Sequence, residues 1–139
     1  MTDKMKVAVE MDKNFLHWRA EFQPDEAYEF VAAVGPNNTA SAPKLLDLLR
    51  NIDSAIPRQH HDRANNPNNG RTHHVYEIGN EYSRVLYLNI HKTYIRDWSE
   101  TTYLKLADDL DHWGLEAGAD ERNIEINDGS RFTYRFWWD

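Results

Sequence analysis

Histidine is the side chain in this sequence best equipped for chemistry near neutral pH. There are seven, and four form two adjacent pairs, His60–His61 and His73–His74, with Asp62 beside the first pair. Neutral imidazole is the commonest side-chain metal ligand, and imidazole titrates in the range where general acids and bases work. His91 ends a segment expected to pair with the one that begins near His73. A metal centre of His61, Asp62, His74 and His91, with an open position for water, is therefore one arrangement to test. Adjacent residues in a strand point to opposite faces, so only one of His73 and His74 can serve a given site, and His74 is chosen here. Arg58, Arg63 and Arg71 lie among the same histidines. Histidines with arginines nearby can move protons and hold a phosphate, which makes His61, His74 and His91 the candidate catalytic residues. Neither arrangement carries a recognised spacing. The sequence holds no HExxH, no EF-hand loop, no nucleotide-binding glycine loop and no GxSxG. The plain alternative is a solvated polar loop.

Two other groups of residues suit recognition rather than catalysis. The C-terminal segment alternates Phe132, Tyr134, Phe136 and Trp138 with Thr133, Arg135 and Trp137. The first set reads as a core face. Core packing does not account for Trp137 beside Arg135, and Trp and Arg are enriched where interfaces carry most of their energy. Asp108, Asp109 and Asp111, followed by Glu116, Asp120 and Glu121, place negative charge around a helix C-terminus. There it opposes the helix dipole, so it is not present for local stability. Such a patch steers a basic partner, although the same charges also serve a solvated face.

The elements that must position these groups follow from periodicity. Val7, Val9 and Met11 alternate with polar or small residues, as do Trp18, Ala20 and Phe22, which predicts an N-terminal hairpin turning at residues 12–14. Pro24, Asp25 and Glu26 open a helix with Ala27, Phe30, Val31 and Val34 on one face, stopped by Gly35–Pro36. Ser41 and Pro43 open a second, with the apolar stripe Leu45, Leu48, Leu49, Ile52 and Ile56. Residues 57–70 hold no large apolar side chain apart from proline, which predicts a long mobile loop at about 57–72. Segments 75–78 and 85–90 flank Gly79–Asn80 and read as a hairpin, its second strand covered on both faces. Asp97 and Glu100 stand at capping-box spacing before a third helix with Tyr103, Leu106, Ala107, Leu110 and Trp113 inward. The chain ends in a hairpin through Asp128–Gly129, a type I′ signal, where the residue pattern calls for a bulge near Gly129.

The expected order is ββααββαββ. That is a single α+β domain over residues 1–139, with a mainly antiparallel sheet of about six strands and three helices on one face. With 139 residues, 12% aromatic content and no cysteine, the chain can build a core without disulfides or thiolate metal sites. A formal charge of -7 disfavours general binding to nucleic-acid backbone. No apolar run approaches the ~20 residues of a membrane span, and residues 1–6 lack the apolar core of a signal peptide. A cytoplasmic location and no cofactor are the expectations. The functional expectation is a small acidic protein-binding module of inhibitor or immunity type, using Trp137, Arg135, Asp108, Asp109 and Asp111. A homodimer through the C-terminal strand is its second expected contact. The alternative is a histidine-dependent enzyme or ligand-binding protein acting on a phosphate-containing substrate.

Overall fold

The structure is a computed structural model that describes residues 1–34, 41–56 and 74–139. The element order is α1 (Asp3–Asn14), β1 (His17–Phe22), α2 (Pro24–Val34), α3 (Ala42–Ala55), β2 (His74–Glu81), β3 (Ser83–His91), a short 3-10 turn (Lys92–Tyr94), α4 (Glu100–Glu116), β4 (Glu121–Asn127) and β5 (Arg131–Trp137). All strand pairs are antiparallel, in the order β1-β2-β3-β5-β4. The α+β class is as expected. Among the described residues there are five strands and four helices rather than six and three. The expected loop at 57–72 falls outside the described residues.

The difference in count lies at the N-terminus. Residues 7–11 alternate like a strand yet form the middle of α1. Thr2 caps this helix by accepting from the Met5 N–H at 3.2 Å, and Met5 and Ala8, one turn apart, are its buried residues. Two inward residues in twelve make a weak helical stripe. The stronger tie is Asp12, whose carboxylate accepts from both terminal nitrogens of Arg84 on β3, at 2.8 and 3.0 Å. This contact ties the C-terminal turn of α1 to β3.

The other helices begin close to where their sequences indicate, although Ser41 stands at the N-cap of α3 without a side-chain bond to the helix. In α2 the Glu26 carboxylate reaches back to accept from the Gln23 N–H at 2.8 Å, the reciprocal half of a capping box. In α3, Pro43 lies in the first turn and Leu45, Leu48, Leu49 and Ile52 are buried. In α4 the cap is Ser99, whose hydroxyl accepts from the Thr102 N–H at 3.3 Å, rather than Asp97. Gly118, at φ +85°, ends that helix, and Gly114 sits within it. A Cβ on Gly114 would come within 2.7 Å of the Phe136 ring, so this glycine sets how closely α4 approaches the sheet.

Both later hairpins turn elsewhere than expected. β2 continues through Gly79 and Asn80 to Glu81, and the chain reverses at Tyr82, with φ 65°. The last hairpin reverses at Gly129–Ser130, where the Asp128 N–H donates to the Arg131 carbonyl at 3.0 Å. No residue there has positive φ, so the turn is not type I′. The Asp128 carboxylate shapes it by accepting from the Ser130 N–H and hydroxyl and from the Arg131 N–H, at 2.8, 2.9 and 2.9 Å. The expected bulge near Gly129 is absent: Asn127 pairs with Phe132 and Ile126 with Thr133, and the ladder shifts register instead at Glu125, between Ile124 and Ile126.

One face of the sheet carries the core. Phe22, Tyr76, Ile78, Leu86, Leu88, Phe132 and Phe136 are fully buried there under the four helices. Trp138 closes the layer, its indole N–H donating to the Ala117 carbonyl at 3.1 Å. No helix among the described residues is long and apolar enough to cross a membrane.

Candidate functional site

The opposite face of the sheet has no helix on it among the described residues, and strand alternation arranges its side chains in rows. One row runs Arg19, Gly79, Val85, Trp137, Glu121, and the next runs Glu21, Glu77, Tyr87, Arg135, Asn123. Gly79 carries no side chain, so the Arg19 guanidinium lies diagonally across the rows with its carbon 4.5 Å from the centre of the Tyr87 ring. Arg135 is held between two carboxylates, donating to Glu81 at 2.9 Å and to Glu121 at 2.8 Å. The Tyr87 hydroxyl donates to the other oxygen of Glu81. The Trp137 indole N–H donates to the Glu81 carbonyl at 3.1 Å. Glu77 accepts from Asn89 at 3.1 Å, and Asn89 in turn accepts from the Thr133 hydroxyl at 2.7 Å. The expectation that β3 is covered on both faces is therefore met by helices on one side only. On the other, Val85 is buried beside Trp137 and Tyr87 is half-buried within the network.

The electrostatics of this face hold its charges in place. Burial favours the neutral form of Glu81, but hydrogen bonds from Tyr87 and Arg135 and the charges of Arg135 and Arg19 outweigh it and lower its pKa. Burial and the Glu81 carboxylate push the Tyr87 hydroxyl up. Burial opposes the Arg135 charge, and its two carboxylates overcome that and raise its pKa further. Near neutral pH this network therefore keeps Glu81 ionised, Tyr87 protonated and Arg135 charged. It presents a fixed pattern of charge and aromatic surface, with none of these three groups poised to exchange a proton.

The histidine candidates divide. His74 lies on the helix side, fully buried, with Nε2 2.7 Å from Asp53 Oδ1. The Tyr76 hydroxyl donates to the same oxygen at 2.6 Å. His91 is exposed on the other face, its ring edge-on to Tyr94 with centroids 6.1 Å apart. The ladder pairs His74 with Ile90, so His74 and His91 point to opposite sides and do not converge. His61 and Asp62 lie outside the described residues. Among the described residues no group of three or more His, Asp or Glu side chains could hold a metal ion.

The His74–Asp53 contact acts on stability. Burial would raise the Asp53 carboxyl, but hydrogen bonds from His74 and Tyr76, the His74 charge and the Tyr28 hydroxyl together lower it. A carboxyl lowered on folding stabilises the fold above its unfolded pKa of about 3.9, and that contribution is lost as pH falls through the folded value. Urea midpoints measured from pH 5 down to pH 2 should therefore fall more steeply for the wild type than for Asp53→Asn. Parallel slopes would show that the pair does not persist in solution.

The acidic candidates sit apart from Arg135 and Trp137. Asp108, Asp109 and Asp111 belong to α4, on the helix side of the sheet. Asp108 and Asp111 are exposed and Asp109 is half-buried. Asp111 accepts from Arg122 on β4 at 2.9 Å, which ties the helix to the sheet edge. Burial, with added repulsion from Asp111 and Asp108, lifts the Tyr134 hydroxyl to about 12. The five expected binding residues thus fall on two different surfaces. Sequence reasoning passed over Arg19, Glu77, Glu81, Tyr87 and Asn89. Their signal was alternation along β1, β2 and β3, where Arg19 and Glu21, then Glu77, Gly79 and Glu81, and then Val85, Tyr87 and Asn89, share one side.

Compared with models of protein families, with curated proteins and with solved structures, the chain matches none.

Proposed function

We propose that this protein is a non-catalytic, cytoplasmic protein-binding module, and that its partner docks on the open sheet face around Arg135 and Trp137. The observation that carries this reading is the immobilised array of Arg19, Tyr87, Arg135 and Trp137, held by Glu81 and Glu121. Tyr, Trp and Arg are the residues that dominate binding energy at interfaces. Side chains already held in one geometry lose less freedom when a partner arrives. The acidic stretch of α4 is a second surface that steers a basic partner toward the protein without forming the docking face.

The test begins with affinity capture from the source cells, followed by calorimetric titration of the purified partner. Trp137→Ala and Arg135→Ala, each confirmed folded by circular dichroism, should weaken binding roughly tenfold or more. Neutralising Asp108 and Asp109 together should slow association at low salt and leave dissociation unchanged. A partner whose affinity ignores both Trp137 and Arg135 would overturn the assignment of the face.

A further inference from the structure

We propose that the outer edge of β1 pairs with the same edge of a second copy of this chain, so that one sheet runs through a two-fold dimer. Among the described residues β1 has a single strand neighbour, β2, which leaves a row of backbone N–H and C=O groups along its other side. Sheet edges are commonly protected from such pairing by bulges, prolines or charges. The opposite edge, β4, is bulged at Glu125. β1 has neither bulge nor proline: it pairs with β2 over six consecutive residues without a register shift, and its only such protection is the pair of charges Arg19 and Glu21.

The two charges of β1 are arranged to be self-complementary. Antiparallel pairing centred on Ala20 sets Arg19 opposite Glu21 of the second copy and Glu21 opposite Arg19, so the symmetry makes the contact twice. Sliding the register by two residues in either direction sets Arg19 against Arg19 or Glu21 against Glu21. Sliding it by one sends side chains to the wrong faces. Within the chain Glu21 lies directly across from Glu77, whose carboxylate already has Arg19 of the same chain 3.8 Å away, so Glu21 is left as the carboxylate facing the open edge. Arg19, which within one chain lies over Tyr87, turns outward to reach Glu21 of the second copy.

Apolar surface at the same edge supports the same occupant. Phe15 and Leu16, immediately before β1, are 55% and 66% exposed. In the register centred on Ala20, Leu16 falls opposite Pro24 of the second copy, where α2 begins, so pairing brings protein onto this exposed pair. The homodimer expected at the C-terminal strand has no free edge there, because β5 is paired on both sides by β3 and β4. The contact therefore moves to β1, away from Arg135 and Trp137.

The chain contains no cysteine, which allows a direct test. In Ala20→Cys the two new thiols would face each other across the symmetry axis. Opposed Cα atoms in an antiparallel pair are about 4.5–5.5 Å apart, within the roughly 4.4–6.8 Å that a disulfide spans. Mild oxidation should convert Ala20→Cys to a covalent dimer, while Asn123→Cys, exposed on the other edge strand, stays mostly monomeric. Sedimentation of the wild type should show a monomer–dimer equilibrium. Glu21→Arg, at an exposed position, should raise its dissociation constant roughly tenfold or more. A wild type that sediments as a monomer throughout would overturn the proposal. Cross-linking of Ala20→Cys no faster than that of Asn123→Cys, or association indifferent to Glu21→Arg, would do the same. Partner binding, read on Arg135 and Trp137, is scored separately and can stand or fall without it.

Discussion

Arg84→Ala is expected to remove roughly 3–5 kcal/mol of folding stability, the range seen when one member of a buried ion pair is deleted. Arg84 is 2% exposed and the Asp12 side chain 13%. The guanidinium donates to both carboxylate oxygens and also to the Gly79 carbonyl at 3.2 Å. Asp12 Oδ1 receives the Trp18 indole N–H and the Asn80 amide as well, each at 3.3 Å. Removing Arg84 leaves a sheltered carboxylate with its main counter-charge gone, and it loosens α1, β1 and the β2–β3 hairpin together. Small domains are stable by only about 5–15 kcal/mol, so urea unfolding should show a large fall in midpoint. The double variant Asp12→Leu with Arg84→Met removes both charges and should recover much of the loss. A single-variant loss below about 1 kcal/mol would mean that the pair is open in solution.

Gly79→Ala should be nearly as damaging, for a steric reason. A Cβ at this position would lie 1.9 Å from the Trp18 carbonyl oxygen and 2.8 Å from the Arg19 Cα. Both are backbone atoms, so no rotamer change makes room and β1 itself must move. Overpacking of this kind costs on the order of 3 kcal/mol. The loss should be local. Amide exchange should accelerate along β1 and at the β1–β2 ladder, while β3 and β5 stay protected. Arg19 would leave Tyr87, so the open face should be disturbed as well. Gly129→Ala serves as the control. Nothing lies within 4 Å of its added Cβ, and the change should stay within about 0.5 kcal/mol. Uniform loss of protection across the whole sheet would show that β1 does not yield as a separate unit.

Several elements were legible in the sequence because their information is local. The stripe of Leu45, Leu48, Leu49 and Ile52 has no reading other than a helix face, and all four are buried. The alternation from Phe132 to Trp138 assigned a core side to β5, and Phe132, Tyr134, Phe136 and Trp138 are all buried. Of the candidate site, the same alternation singled out Arg135 and Trp137 because core packing did not explain them. Gly79 was legible as a special position, although its purpose was read as a turn. A glycine needed for close backbone approach and one needed for a reversal look the same in one dimension.

What remained was decided by contacts between residues far apart in the chain. Segment 7–11 fits a strand by period yet is helical, and the end of that helix is tied to β3 by Asp12 meeting Arg84, 72 residues away. The open face joins residues of all five strands. No local pattern says that Arg19 will lie over Tyr87, or that Glu81 and Glu121 will hold Arg135 between them. The histidines show the same division. Alternation required His73 and His74 to face opposite ways, but only the pairing of His74 with Ile90 sent His74 into the core against Asp53 and left His91 outside. Period and capping are properties of a segment, so the sequence by itself determined most of the individual elements. Register and strand order are properties of the assembled sheet, and they decided which side chains share a surface.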